Sequence, residues 1–263
     1  MQTANTKSSV HPTAIISPGA ELGSGVEVGP FSIIEDDVEI GDGTIIHSHA
    51  KLESGARVGK NCKIFQGAVL AGKPQDLKFE NEKTYARIGD NTTIREYVTV
   101  NRGTKHRGET TVGNNCLLMA YSHVAHDCIL GENVIMANSV NLAGHVEIQD
   151  YAIVGGVVPV HQFTRIGCHS IIGGGFRVVQ DVCPYMLAAG YPLKIYGLNR
   201  VGLTRRGFSA ETIELLDKAH RIMFRSRLNT STAVARIKQE LEPAAEIEKL
   251  LAFIESSERG LVK

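Results

Sequence analysis

The chain contains no tryptophan, and its aromatic share is only 6%. That excludes a core assembled from large rings, so whatever is buried must be built from smaller side chains. Neither sign of charge predominates, because Lys+Arg and Asp+Glu both total 28. The balance therefore offers no argument for a nucleic-acid partner or a membrane surface. No apolar run approaches the roughly 20 residues that cross a bilayer, so membrane insertion is not expected. The opening stretch, residues 1–7, lacks the apolar core of a signal peptide, which points to the cytoplasm. Cysteine is scarce and odd in number, at five. Cys62, Cys116 and Cys128 fall where small interior residues are expected. They read as buried thiols in a reducing compartment, not as a disulfide frame or a metal cluster.

What the chain does have is a period of six. Stepping by six from Val10 to Val178 gives 29 positions, of which 26 are Val, Ile, Leu or Met. The three exceptions are Asp76, Glu82 and His106. Four residues after each aliphatic site stands Ala, Val, Ser, Thr or Cys in 24 of the 26 hexads, and ten hexads carry Gly in second place. The small residue lies two positions before the next aliphatic one, so both point to one side of a short strand. Each hexad then turns, with its glycine expected to ease the turn. A single hexad cannot bury its apolar side, whereas a stack of them makes a continuous core. The expectation is a mainly β solenoid of about ten coils over residues 1–190, interrupted by loops near 73–87 and 103–111.

The register ends near Pro184, and residues 191–263 read as a small C-terminal α-helical domain. Pro192, Gly197 and Gly202 punctuate a linker. Helices are expected from an N-cap at Ser209, near Thr230, and from Pro243 at a first helical position. The domain would cover strand edges left open at the end of the solenoid. Between residues 184 and 227, eight Lys/Arg stand against three Asp/Glu, and Lys218, Arg221 and Arg225 share one helix face. That face is either simply solvated or a dock for an acidic partner.

Residues three hexads apart stack vertically if three hexads make a coil. His126, Gly144 and Gln162 then form one stripe, flanked by His145 and His161, with His123 close by. Counting places Gly72 three coils earlier on the same stripe, and residue 108 on it as well. Two loops and four histidines thus meet at one edge, where solenoids tend to carry function. His11, His47, His49, His106, His169 and His220 lack such clustering and read as surface or capping residues. The cluster allows two chemistries. One is a histidine general base oriented by Asp127; the other is a three-histidine zinc site with an open position.

The ordered segments Gly72-Lys-Pro-Gln-Asp-Leu-Lys78, Asn101-Arg-Gly-Thr104, Ser122-His-Val-Ala-His-Asp-Cys128, Leu142-Ala-Gly-His-Val146, Val160-His-Gln-Phe163 and Leu203-Thr-Arg-Arg-Gly-Phe208 carry a resemblance. Together they resemble the acyl-ACP–UDP-N-acetylglucosamine O-acyltransferase family, which begins lipid A synthesis in Gram-negative bacteria. The resemblance spans essentially the whole chain. It implies a left-handed parallel β-helix, and because such a helix has only flat faces while a groove between two can enclose a long acyl chain, a homotrimer is expected. It also implies transfer of a 3-hydroxyacyl chain from acyl carrier protein to the 3-hydroxyl of UDP-N-acetylglucosamine. By the same resemblance His126 is the general base, Asp127 its support, and Gly144 the oxyanion donor. Gln75, Asp76, Lys78, His123, His145, His161, Gln162, Asn199 and Arg205 line the substrate sites, and Gly174 sets the acyl length. No metal is assigned and no cofactor is implied, the acyl donor riding on the phosphopantetheine of acyl carrier protein. Two departures stand out: Asn101 where the family often has His, and Tyr191-Pro192 in place of a more polar pair. Open alternatives are a hexapeptide-repeat N-acyltransferase, against which repeats beginning by residue 10 argue, an acetyltransferase on another sugar, and a zinc lyase of carbonic anhydrase type.

Overall fold

The computed structural model describes residues 8–263; the opening stretch, residues 1–7, in which no signal peptide is expected, lies outside the described residues. Two-residue strands recur with the hexad, and each pairs in parallel with its counterpart three hexads on, as Ser9↔Glu27 and Ile15↔Ile33 do. Three sheets of eleven, eight and eight strands result, one per side of a left-handed parallel β-helix. The core lies where the period puts it. Among the largest fully buried side chains, from Ile34 and Ile46 through Leu142 to Ile172, every one is an aliphatic register residue. The small positions are buried as well, including Ser32, Thr44, Cys62 and Cys116. The first coil departs from this: Val10 is 42% exposed, because no described coil lies on its outer side.

The turn works differently from the expectation. Positive φ falls not on the second-place glycines but, in most hexads, three residues after the aliphatic site, as at Asp127 (φ 60), His145 (φ 62), Tyr151 (φ 61) and Val157 (φ 59). The second-place glycines are needed for close approach between coils. A Cβ on Gly131 would lie 2.2 Å from Asp150 Oδ1 and 2.8 Å from the Asp150 nitrogen. The positive-φ residues mark three corners running up the helix. One carries Asp127, His145 and Phe163, the second Tyr151 and His169, and the third Tyr121, Ser139, Val157 and Gly175.

Two insertions break the three-hexad spacing. Lys63 pairs with Thr93, five hexads on, and Thr99 pairs with His123, four hexads on. The first loop therefore adds two hexads and the second adds one, together a full coil's worth. The arithmetic register survives both loops while the coil count drops by one. Gly72 pairs with Asn101, so it lies two coils below His126 and not three. Gly108, counted onto the stripe, belongs to the second loop, where its N–H donates to Thr104 O at 2.7 Å.

The largest sheet ends in a hairpin, Met186–Ala189 against Lys194–Leu198, which straddles residue 190 and holds the cis Tyr191-Pro192 bond in its turn. The segment expected to be a linker is thus a strand followed by a helix, α1 (Arg200–Arg205), with Gly202 inside it. Asn199 makes the helix possible by accepting from the Gly202 N–H as N-cap. Then come α2 (Ala210–Arg225), α3 (Thr230–Glu240) and α4 (Ala245–Glu255). Ser209 caps α2 as expected; Pro243, however, precedes the Ala244 N-cap and is not itself helical. The apolar side of α2, Ile213, Leu216, Ala219, Ile222 and Met223, is buried. After α4 the chain returns to the β-helix, where Asp181 bridges to Leu261. Among the described residues no helix is long and apolar enough to cross a membrane.

Candidate active site

The first corner carries the histidines, and its geometry is set from the carboxylate outward. Asp127 is 3% exposed. Its Oδ1 accepts the Thr104 N–H at 3.0 Å, and its Oδ2 accepts the Thr104 hydroxyl at 2.7 Å. The same Oδ2 lies 2.8 Å from His126 Nδ1. Burial opposes a charge on Asp127, but the hydrogen bonds from His126 and Thr104 outweigh it and hold the carboxyl below its ordinary range. An ionised carboxylate only accepts, so Nδ1 carries a hydrogen, and in the neutral ring the lone pair is on Nε2.

That lone pair faces the neighbouring coil. An ideal Cβ on Gly144 would sit 2.6 Å from His126 Cε1 and 2.7 Å from Nε2. Only glycine leaves space for the ring, and the Gly144 backbone lies directly against it. His145 completes the group, its ring edge-on to His126 at 5.1 Å and stacked on Phe163 at 4.5 Å. Burial pushes the His145 pKa down, with His126 and His106 adding to that and Asp127 opposing it. His123, whose Nδ1 is 2.7 Å from Thr99 Oγ1, is likewise pushed down by burial first and then by His126.

Both loops reach this corner. The first is anchored by buried Phe79, over which Arg102 lies at 5.4 Å. Asp76 accepts the Lys78 N–H at 2.9 Å, and its charge is felt at His145; Gln75 and Lys78 are exposed. The second loop is tied to the first where the Lys105 N–H donates to Glu82 Oε1 at 2.9 Å. It also brings His106 to 4.8 Å from the His145 ring, so His106 joins the cluster from which counting excludes it. An inserted residue has no place in a three-hexad register, which is why the period misses it. Thr104 lies within one of the motifs, but its hold on Asp127 is invisible in sequence for the same reason. His169 and His220 are also not surface residues. His169 is half-buried against Tyr151 and Tyr185, and His220 is 6% exposed.

The remaining candidates lie apart. His161 and exposed Gln162 stand one coil above Gly144. Asn101 is 6% exposed with its Oδ1 unpartnered, beside Gly72 on the wall beneath the histidines. Gly174 adjoins the third corner, where its Cβ would meet Gly156 O at 3.1 Å; its own φ is not positive, unlike that of Gly175 (φ 79). Asn199 is 5% exposed and donates to His169 O at 2.9 Å, so its side chain anchors α1 at the second corner. Arg205 is exposed on that helix. Within one chain the candidate residues therefore divide among three corners.

His126, Asp127 and His145 bring ligand atoms within 4.8 Å of one another, a set that could be asked to hold a metal ion. Asp127 Oδ2 already accepts from His126 Nδ1 and from Thr104, and His126 presents Nε2 in another direction. This arrangement fits a histidine–carboxylate pair better than a ligand set converging on one ion.

The basic face of α2 is partly neutralised. Lys218 pairs with Glu214 at 3.2 Å, while Asp217 takes both Arg200 at 2.9 Å and Arg221 at 2.6 Å. All five cysteines are buried and free. Burial drives their thiols up, Cys128 to about 12.

Comparison with known proteins agrees with this geometry. Residues 181–262 match the family model described as UDP N-acetylglucosamine O-acyltransferase, domain 2. Residues 19–54 and 109–144 match the bacterial transferase hexapeptide model. An acyl-[acyl-carrier-protein]–UDP-N-acetylglucosamine O-acyltransferase of Thiobacillus denitrificans is 48% identical over 97% of this chain and 99% of its own. One of the same description from Thermodesulfovibrio yellowstonii is also 48% identical, with the same coverage. The solved UDP-N-acetylglucosamine acyltransferase of Bacteroides fragilis superposes with a TM-score of 0.95 at 46% identity, covering 96% of this chain and 99% of its own. The UDP-N-acetylglucosamine O-acyltransferase of Moraxella catarrhalis gives 0.93 at 41%, covering 97% and 99%. With relatives this similar along nearly its whole length, the chain belongs to the acyl-[acyl-carrier-protein]–UDP-N-acetylglucosamine O-acyltransferase family.

Proposed function

We propose that this enzyme moves a 3-hydroxyacyl group from acyl carrier protein to the 3-hydroxyl of UDP-N-acetylglucosamine, with His126 as general base. The observation that carries the reading is the 2.8 Å contact between His126 Nδ1 and a buried Asp127 that Thr104 holds in place. It leaves Nε2 as the free acceptor, the state a base needs. His126 Nε2 takes the hydroxyl proton as the oxygen attacks the thioester carbonyl. Asp127 stabilises the imidazolium that forms, and the Gly144 N–H donates to the oxyanion of the tetrahedral intermediate. When the intermediate collapses, the C–S bond breaks and the thiolate takes the proton back from His126. No acyl-enzyme and no dissociable cofactor enter the scheme. Free, buried thiols support a reducing compartment, and the reading is a cytoplasmic enzyme.

Gln75, Asp76, Lys78, His123, His145, His161 and Gln162 are read as the lining of the sugar and acyl sites, and Arg205 as a contact for the nucleotide end. Gly174 is read as the limit of the acyl groove. Their division among three corners supports a homotrimer, in which one chain's histidine corner meets another's third corner. Exposed apolar side chains support the same reading: Leu77 is fully exposed, Tyr121 61% and Val157 65%. A groove between two β-helices encloses a long chain where a flat face cannot. The unpaired part of the basic surface behind the β-helix suits an acidic carrier protein.

The test uses purified protein, UDP-N-acetylglucosamine and a panel of acyl carrier protein thioesters. His126→Ala should lower turnover by about 10² to 10⁴ while nucleotide binding and fold persist. His47→Ala, on the N-terminal coils, should be near neutral. A His126→Ala enzyme retaining more than about a tenth of the rate would remove the base assignment.

A further inference from the structure

The last residues of the chain reach the candidate site by a route that the hexad does not describe. After α4, Ser257 Oγ donates to Asp181 Oδ2 at 2.7 Å, the Asp181 N–H donates to Gly260 O at 2.9 Å, and the Val262 N–H to Asp181 O at 2.9 Å. Asp181 is fully buried, as nearly are Leu261 and Val262, at 8% and 2% exposure. This seam holds Arg259 in place without using its side chain. The guanidinium then lies with Nη2 3.1 Å from His161 Nδ1.

His161 Nδ1 has a second neighbour at the same distance, the Gln162 carbonyl oxygen at 3.1 Å. The two contacts demand opposite tautomers. A guanidinium has no acceptor, so it bonds Nδ1 only if that atom carries a lone pair and the ring hydrogen sits on Nε2. A carbonyl has no hydrogen, so it bonds Nδ1 only if the ring hydrogen sits there. An imidazolium has no lone pair to give the guanidinium. The charge-assisted bond is the stronger of the two.

We propose that Arg259 is a positioning residue that fixes His161 as the neutral Nε2–H tautomer, so that His161 meets substrate as a hydrogen-bond donor. Without Arg259 the ring turns over its proton to Nδ1, bonds the Gln162 carbonyl, and presents an acceptor at Nε2 instead. The end of the helical domain thereby sets the chemistry of a residue on the β-helix. This inference rests on the reading that His161 contacts substrate.

The experiment separates the two claims. Nitrogen-15 spectra of enzyme labelled at histidine, with His161 assigned through His161→Ala, report the tautomer with no substrate present. Wild type should give an unprotonated Nδ1. Arg259→Met keeps the aliphatic stem and removes the donor, so its His161 should shift to a protonated Nδ1. Arg259→Lys, still a pure donor, should stay nearer wild type. In the transfer assay Arg259→Met should lose about tenfold, the scale of one misdirected hydrogen bond, and Arg259→Lys less. Unchanged His161 ring signals in a folded Arg259→Met protein would overturn the inference. A His161→Ala enzyme with wild-type kinetics would instead overturn the substrate contact, whatever the spectra say.

Discussion

Asp127 is worth more to the site than its single carboxylate suggests, because three donors converge on it. Removing one should be measurable separately from removing the base. Thr104→Val keeps the shape and the backbone N–H but deletes the 2.7 Å hydroxyl donor. Asp127 then holds His126 less firmly and bears its charge with less support. The expected outcome is a stability loss of about 1 to 2 kcal/mol with turnover down roughly tenfold. Thermal melts and steady-state rates on the same preparation check it. A fully active Thr104→Val enzyme would mean that Asp127 needs no help from the second loop. His126 and Asp127 are legible in the sequence, being adjacent on the register. Thr104 and His106 are not, because an insertion loop has no period and only folding brings it back over the corner.

Among the elements, the one that departs most from the repeat is α1, and its attachment is electrostatically particular. Arg206 Nη1 donates to Tyr151 O at 2.8 Å, and its guanidinium lies over the Tyr151 ring at 4.8 Å. His169 stacks between Tyr151 at 4.8 Å and Tyr185 at 5.8 Å, with Phe208 edge-on at 5.0 Å. Burial, then the charges of Arg206 and Lys249, bring the His169 pKa down to about 4 from 6.5. The folded state thus binds fewer protons than the unfolded chain between those values, so stability falls as pH drops through that window. Above pH 6.5 both states are neutral at this site and the slope vanishes. With allowance for the ring's partial exposure, the loss from pH 7 to pH 4 is on the order of 2 kcal/mol. Urea titrations at several pH values should find this slope in wild type and a flatter one in His169→Gln. An identical slope in the variant would assign the acid sensitivity elsewhere. The hexad itself is legible in the sequence as an element, but the work of its glycine is not. Composition cannot tell a residue chosen for positive φ from one chosen because the next coil leaves no room.

At the scale of the whole molecule, the division of candidate residues among three corners leads to the assembly. Light scattering at micromolar concentration should give about three times the 28.5 kDa chain mass. A fully active monomer would refute the shared site. The acyl-length reading is tested at the same scale. Gly174→Met places a side chain at the third corner, where the first carbon must ease 3.1 Å from Gly156 O, a shift of a few tenths of an ångström that a folded trimer should absorb. Each buried methylene is worth about 0.8 kcal/mol, so closing off two of them should turn selectivity against the long chain roughly 15-fold. Competition between long- and short-chain thioesters measures this directly. Unchanged preference in a well-folded variant would move the ruler elsewhere, with exposed Tyr191 in the hairpin turn the next place to look.

By itself the sequence determined the solenoid, its core and its interruptions, because a two-residue strand buries one small and one aliphatic side chain wherever it occurs. That rule is local, and 26 repetitions of it leave no other architecture in which every apolar residue finds cover. With three hexads to a coil, as the resemblance implies, counting also sets His126, Gly144 and Gln162 on one stripe, where the structure has them. The tertiary structure decided what crosses between separate parts of the chain. The two insertions sum to one coil, so counting keeps its register while misplacing Gly72 by a level. Thr104 reaches Asp127, Asn199 is consumed in anchoring α1, and Arg259 arrives at His161 from 98 residues away. Such contacts depend on how a loop or a tail folds back across the surface. No periodicity encodes that, because each occurs once.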